Sequence, residues 1–135
     1  MYVSLLDDDP VRPWISREFR CHMPDNCVFV LLSGSREPRA VLCCSFKSFV
    51  PSNVDELLKF EYSRGSNAIF YSVWSYSRGG GREIIPLASA WIRENLSHVS
   101  GFYTFSPCSD RVREFHYSLG AKTHRKNSDS INYIY

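Results

Sequence analysis

Two residues near the end of this chain have the types that proton chemistry uses, and they sit in distinctive surroundings. Ser106 precedes a proline and His116 follows a phenylalanine. Histidine is the usual acid or base near neutral pH, and a hydroxyl beside it can relay a proton. Upstream lies a triple glycine, Gly79-Gly80-Gly81, flanked by Arg78 and Arg82. Glycines placed between a strand-like run and a helix-like run let the backbone approach an anion. A helix start adds free N–H groups at its positive end. Together the pieces suggest a phosphate-bearing ligand on one side and acid–base work on the other. Each also has a plainer reading. The glycines can be a flexible turn, Ser106 a capping or turn hydroxyl, and His116 a satisfied core residue. The glycine spacing fits neither a Gly-Lys-Ser/Thr phosphate loop nor a Gly-x-Gly-x-x-Gly dinucleotide turn. No Gly-x-Ser-x-Gly elbow is present.

The elements that must position these residues follow from pattern. Residues 27–32 and 39–46 read as two strands joined by a turn at 33–38. A short helix opens after Pro51-Ser52, with Ser52 or Asn53 as cap and Glu56 three residues after Asn53. Residues 68–76 (AIFYSVWSY) give the strongest strand signal. Strict alternation sends Ile69, Tyr71, Val73 and Ser75 one way and Phe70, Ser72, Trp74 and Tyr76 the other. Residues 78–82 read as a loop and 84–96 as a helix. Ile84, Leu87, Ala88, Trp91, Ile92 and Leu96 form its apolar side, and Pro86 pins its start nearby. Residues 101–105 are a strand. Residues 109–119 form a helix opened by Ser109 or Asp110 and ended by Gly120, with Val112, Phe115 and Leu119 on its core side. The tail, 131–135, closes a last hairpin. Residues 1–26, broken by Pro10, Pro13 and Pro24, read as irregular. The order predicts one mixed α/β domain over 1–135, built on a mixed sheet.

Composition excludes several classes. The chain has 135 residues, 44% of them hydrophobic and 22% charged, which is ordinary globular usage. The net charge of +2 is too small to imply nucleic acid. No apolar run is long enough to span a bilayer, and the acidic N-terminus is unlike a signal peptide. Five cysteines, with no Cys-x-x-Cys pair, fit neither a disulfide framework nor a zinc site. Cys43 and Cys44 should point to opposite faces of a strand. Reduced thiols and a cytoplasmic setting are the expectation. His22, His98 and His124 lack metal-ligand spacing, so no metal is expected.

In this arrangement the chain resembles the Gcn5-related N-acetyltransferase (GNAT) superfamily. The match is nearer to the C-terminal catalytic domain of the malonyl-CoA decarboxylase family. That family's AIFYSISN corresponds to AIFYSVWS at 68–75, and its TFATLSPIPGF to FYTFSPC at 102–108. Its FHxxNGAxxxRxN corresponds to FHYSLGAKTHRKN at 115–127, and its NYxY to the closing NYIY. The short helix at 51–58 also has a counterpart, so the resemblance covers about 20–135. It implies a GNAT-like acyl-CoA-binding fold with catalytic Ser106 and His116. It implies that Trp74, Ser75, Tyr76, Arg78, Gly79, Gly80, Gly81 and Arg82 hold coenzyme A, the acyl carrier, with no further cofactor. The activity implied is decarboxylation of malonyl-CoA or a related thioester. Acyl transfer to an amine and non-catalytic coenzyme A binding are the alternatives, and a homodimer is left open. The sequence departs from the family in lacking the residues after Ser-Pro and in placing Leu119 where the family has asparagine. The segment between the two blocks is shorter, and the family's N-terminal helical domain has no counterpart here.

Overall fold

A computed structural model describes residues 2–62 and 64–135; Met1 and Ser63 lie outside the described residues. Six strands form one mixed sheet in the order β1-β2-β3-β4-β6-β5. They are β1 (Asn26–Leu32), β2 (Pro38–Lys47), β3 (Asn67–Ser75), β4 (Gly101–Thr104), β5 (Lys122–Lys126) and β6 (Ile131–Ile134). The helices are α1 (Arg17–His22), α2 (Val54–Leu58), α3 (Gly80–Asn95) and α4 (Asp110–Ser118). β3 and β4 are parallel and linked through α3; the other neighbours are antiparallel. This is the mixed α/β sheet that the sequence pattern implies.

Both faces of the sheet are covered, so two apolar clusters form. On one face α3 contributes Ile84, Ile85, Ala88 and Ile92 against Leu42, Cys44, Phe46 and Phe70. Phe115 and Leu119 from the α4 end join them. On the other, Leu6, Ile15, Phe19 and Leu57 pack on Val41, Cys43, Ile69 and Tyr71. Cys43 and Cys44 thus lie on opposite faces, and all five thiols are free. Cys43 is pushed up to about 11 by burial, which leaves it an inert thiol.

Four local expectations change. First, β3 does not alternate throughout. Its pairing with β2 slips between Cys43 and Cys44, which leaves Tyr71 as an extra residue. Tyr71 and Ser72 therefore point to the same face. Ile69 and Tyr71 share a side with Trp74, while Phe70 shares one with Val73. Second, α3 begins at Gly80 rather than near Pro86. Gly79 takes a left-handed φ of 83°, Gly80 N–H bonds Ser77 O, and Ser75 Oγ accepts from Gly81 N–H. These contacts start the helix early and put Pro86 in its second turn, at the cost of one backbone bond to the Arg82 carbonyl. Third, Leu87 and Trp91 are exposed, and Ile85 takes the buried place instead.

Fourth, the N-terminal segment is built, not irregular. It holds a 3-10 helix (Val3–Asp8) and α1, whose cap Ser16 accepts from Phe19 N–H. Asp9 ties it down: its carboxylate takes the backbone N–H groups of Val11 and Arg12, the Ser72 hydroxyl and the Arg20 guanidinium. A second buried pair, Lys47 with Asp25 at 3.1 Å, anchors the far end of β2. Truncating one partner of such a pair costs about 3–5 kcal/mol.

Gly80 shows how tightly α3 meets the sheet. A Cβ there would stand 2.5 Å from the Arg39 carbonyl oxygen, a backbone atom that cannot step aside. Gly34 has open space around it. Gly80→Ala is therefore expected to lower stability by about 1–3 kcal/mol, and Gly34→Ala to leave it nearly unchanged. Urea unfolding of the two variants checks this; equal midpoints would contradict the close approach.

Candidate active site

The cleft follows from how β3 and β4 part. They pair from Asn67 and Gly101 up to Phe70 and Thr104, and Phe105 N–H makes a last bond to Phe70 O. Beyond it the chain leaves β3. Ser106 instead exchanges both backbone bonds with Ile131, each 2.9 Å, so it pairs with the β6 side. A cleft of about 430 Å³ opens between the separating strands. Ser106, His116, Trp74, Ser75, Gly81 and Arg12 are among the residues that line it.

Tyr76 N–H bonds Arg39 O, on the β2 side. In an antiparallel ladder successive residues alternate direction, so the N–H groups of Val73 and Ser75 point the other way, toward the cleft.

α4 delivers His116. Ser109 caps the helix by accepting from Val112 N–H, and Gly120 ends it with φ of 92°. Past that glycine, Ala121 N–H returns to the His116 carbonyl. The Gly-Ala step therefore fixes the helix turn that carries the imidazole. The side chain is buried, with Nε2 3.3 Å from Ser106 Oγ and Nδ1 against the Tyr135 hydroxyl. Ser106 Oγ donates to Thr104 Oγ1 at 2.7 Å. With that proton engaged, His116 Nε2–H donates to Ser106 and the Tyr135 hydroxyl donates to Nδ1. A continuous donor chain thus runs from half-buried Tyr135 to Thr104. Burial pushes the imidazole down to about 4, so it is neutral at pH 7. Burial likewise raises the Tyr135 phenol and keeps it protonated.

The rest of the C-terminal motif is scaffold. The Asn132 amide donates to Pro51 O and Thr104 O, and its oxygen accepts from Arg125 and Asn127. These bonds hold β5, β6 and the segment before α2 around Ser106. Tyr135 was not singled out by the sequence, although it belongs to the NYIY block.

The residues expected to hold coenzyme A divide. Trp74, Ser75 and Gly81 line the cleft with the serine and histidine, whereas Tyr76, Arg78, Gly79, Gly80 and Arg82 lie outside it. The Tyr76 hydroxyl accepts from the Trp74 indole and donates to Asp8. Arg82 donates to Ser118 Oγ at 2.7 Å and lies over the Phe115 ring. Arg78 and Gly79 are exposed at the start of α3. The N–H groups of Gly80 and Gly81 are already engaged within the chain, as described above. Besides Tyr135, the residues that sequence reasoning missed are Asp9 and Arg12. Nothing in the first turn-rich segment signalled that they reach β3. Among the described residues no three His, Cys, Asp or Glu side chains cluster as a metal site would require, and no helix is long and apolar enough to cross a membrane.

The buried imidazole has a pH consequence. Unfolded, His116 titrates near its ordinary 6.5; folded, near 4. Between these values only the unfolded chain binds the proton. The contribution is therefore fully present above about pH 6.5 and is lost as pH falls toward 4, by about 3 kcal/mol in all. Carboxylates add their own slope, so the test is a difference. Urea unfolding from pH 7.5 to 4 should show a shallower loss for His116→Gln than for the parent. Parallel profiles would show that the imidazole is not held neutral.

No protein-family model matches the sequence, and no curated protein matches it significantly. Solved structures do match. Malonyl-CoA decarboxylase from Agrobacterium vitis superposes with a TM-score of 0.69 at 19% identity, over 84% of this chain and 32% of that one. This chain therefore spans about a third of that protein's length. Tetrahymena GCN5 superposes at 0.59 and 12% identity over 98% of this chain and 86% of its own. An acetyltransferase from Thermus thermophilus does so at 0.56 and 16%, over 82% and 63%. Identities this low speak to architecture, and the architecture they share is that of the GNAT acetyltransferases: the chain has a GNAT-like fold.

Proposed function

We propose that the chain binds an acyl thioester of coenzyme A in the cleft and decarboxylates a malonyl-type acyl group. The observation that carries this reading is the neutral His116–Ser106 pair on the wall of a cleft formed by two parting strands. The likeness in fold to a malonyl-CoA decarboxylase supports it.

Loss of carbon dioxide breaks the bond between the acyl α-carbon and its carboxylate. The electron pair moves into the thioester as an enolate, whose oxygen needs fixed donors. The Val73 and Ser75 N–H groups have the right direction for that role. The enolate carbon then takes a proton. Ser106 Oγ–H turns from Thr104 to carbon, His116 Nε2–H replaces it, and the Tyr135 hydroxyl replaces that. Solvent returns a proton to half-buried Tyr135, and the imidazole, left with its proton on Nδ1, regains the Nε2–H form by proton exchange before the next turnover. One proton is consumed and one carbon dioxide released, so the step balances. A neutral imidazole suits this relay, since every member starts with its proton in place. The diphosphate would lie at the start of α3, by exposed Arg78 and Gly79. Engaging Gly81 N–H there requires Ser75 Oγ to let it go.

Acyl transfer to an amine is the weaker reading. It needs a free base beside the acceptor, and Asp9, a carboxylate on the cleft wall, already accepts four hydrogen bonds.

Mass spectrometry of products from a panel of acyl-CoA thioesters, with and without pooled amines, separates these readings. Malonyl-CoA should become acetyl-CoA without amine modification. Ser106→Ala and His116→Gln should each slow carbon dioxide release by about 10²- to 10⁴-fold, while coenzyme A binding is retained. Turnover at the parent rate would remove those residues from the chemistry. Failure of the parent to bind coenzyme A would remove the whole reading.

A further inference from the structure

Arg12 is a buried guanidinium with too little to hold it. The residue is 7% exposed. Its Nη1 donates to Tyr71 O at 2.8 Å, and the fork lies over the Phe105 ring, 4.7 Å from its centre. Among the described residues it makes no other side-chain hydrogen bond, and no carboxylate oxygen comes within 4.0 Å of its guanidinium nitrogens. The nearest acid, Asp9, accepts only the Arg12 backbone N–H and gives its charge to Arg20 at 3.0 Å. Arg12, Arg20 and Asp9 therefore carry two positive charges and one negative, all buried. Burial lowers the Arg12 guanidinium from its ordinary value, as expected of a desolvated cation, although Asp9 opposes the change.

An uncompensated buried charge is costly, and natural structures pair it. Here Arg12 borders two cavities. It lines the cleft of Ser106 and His116, and also a second, polar cavity behind Phe105. The place it occupies is set by the sheet. Tyr71 O is the first β3 carbonyl beyond the last bond to β4, so the guanidinium stands where the strands separate. The remaining charged groups on the cleft wall are Asp9, already consumed, and Arg111, which is exposed. The imidazole is uncharged. The site thus presents net positive charge with nothing among the described residues to balance it.

We infer that Arg12 is a specificity-determining residue that receives a carboxylate carried on the acyl end of the ligand, so that the cleft selects acidic acyl thioesters over neutral ones. A planar guanidinium with one N–H anchored and the others free is pre-set to grip a carboxylate oxygen. Seated there, the carboxylate would be held in the gap between β3 and β4, within the cavity that Ser106 and His116 also line. This rests on the thioester reading for the rest of the ligand, but the anion site can be examined without it.

The experiment is calorimetric titration of malonyl-CoA, its neutral methyl ester, acetyl-CoA and coenzyme A into the parent, Arg12→Gln and Arg12→Lys, all three carrying Ser106→Ala so that malonyl-CoA is not turned over. Free malonate is titrated alongside. The parent should prefer malonyl-CoA to the methyl ester and to acetyl-CoA by about 10- to 100-fold, the range for a charge-assisted hydrogen bond. Arg12→Gln should abolish that preference with coenzyme A affinity unchanged within about twofold, a pattern that a bracing role for Arg12 does not produce. Arg12→Lys should keep part of it. A parent without preference between malonyl-CoA and its ester overturns the inference, even if neither variant folds. So does a preference that survives in Arg12→Gln, and both results leave thioester binding intact. If coenzyme A does not bind at all, Arg12-dependent binding of malonate still supports the anion site. Absence of malonate binding as well sinks both.

Discussion

The structure depends on a single change of partner in the backbone. Up to Phe105 the chain satisfies β3; at Ser106 it turns to Ile131 and satisfies the β6 side instead. A strand that leaves its neighbour strands backbone groups on the edge it abandons, and buried groups of that kind must find partners or face a cavity. On β3 the abandoned groups are the Tyr71 carbonyl and the backbone groups of Val73 and Ser75, their N–H donors included. Arg12 takes the first. The others face the cleft, so an opening made by a failure of pairing is lined with unused donors. Ser106 stands on the opposite bank because the residue that changes partner is the serine itself.

The bulge at Tyr71 makes the separation workable. An extra residue on β3 turns the strand and adds twist locally. It also lets Tyr71 and Ser72 face the same layer, one meeting Phe19 edge-on and the other donating to Asp9. Asp9 thus joins the N-terminal segment to the central strand at the point of divergence. Burial pushes its carboxyl up, but the bonds from Ser72, the Arg12 and Val11 backbones and Arg20 outweigh this and hold it below the ordinary range. A carboxylate so used is a structural anion. It fixes Arg20, and through its own backbone bonds it fixes the turn that carries Arg12.

Much of this architecture was legible in the sequence because it is local. The apolar, β-forming runs at 27–32 and 39–46, the Asn53 cap with Glu56, and the Gly120 stop are each decided within a few residues, and each element appears where its pattern lies. Ser106 and His116 were singled out for a different reason: their flanking motifs resemble a known family, whereas the residue types alone favoured a core histidine. What stayed hidden is what two segments decide jointly. A bulge is two residues against one across a ladder, so AIFYSVWSY by itself cannot announce it. The early start of α3 depends on Ser75 Oγ capping Gly81, across a loop that reads as flexible. Arg12 meets a carbonyl 59 positions away, and no periodicity links them. Arg125, Asn127 and Asn132 had motif value, yet their chemistry is to tie loops together.

The division of charge within the cleft follows from burial. Had His116 kept its ordinary basicity, lowering the pH would place an imidazolium in the cleft that Arg12 already makes positive, and the two cations would repel. Burial removes that conflict by holding the imidazole neutral, while a guanidinium cannot give up its proton under the same pressure. The site therefore separates two tasks that one cationic histidine would have to combine. On the proposed reading, Arg12 would supply fixed charge from the N-terminal layer, and His116 would pass protons from the helical layer without a change in the charge that the ligand meets. That arrangement requires both layers to close on the gap between β3 and β4. The N-terminal segment is then as much a part of the cleft as the sheet it covers.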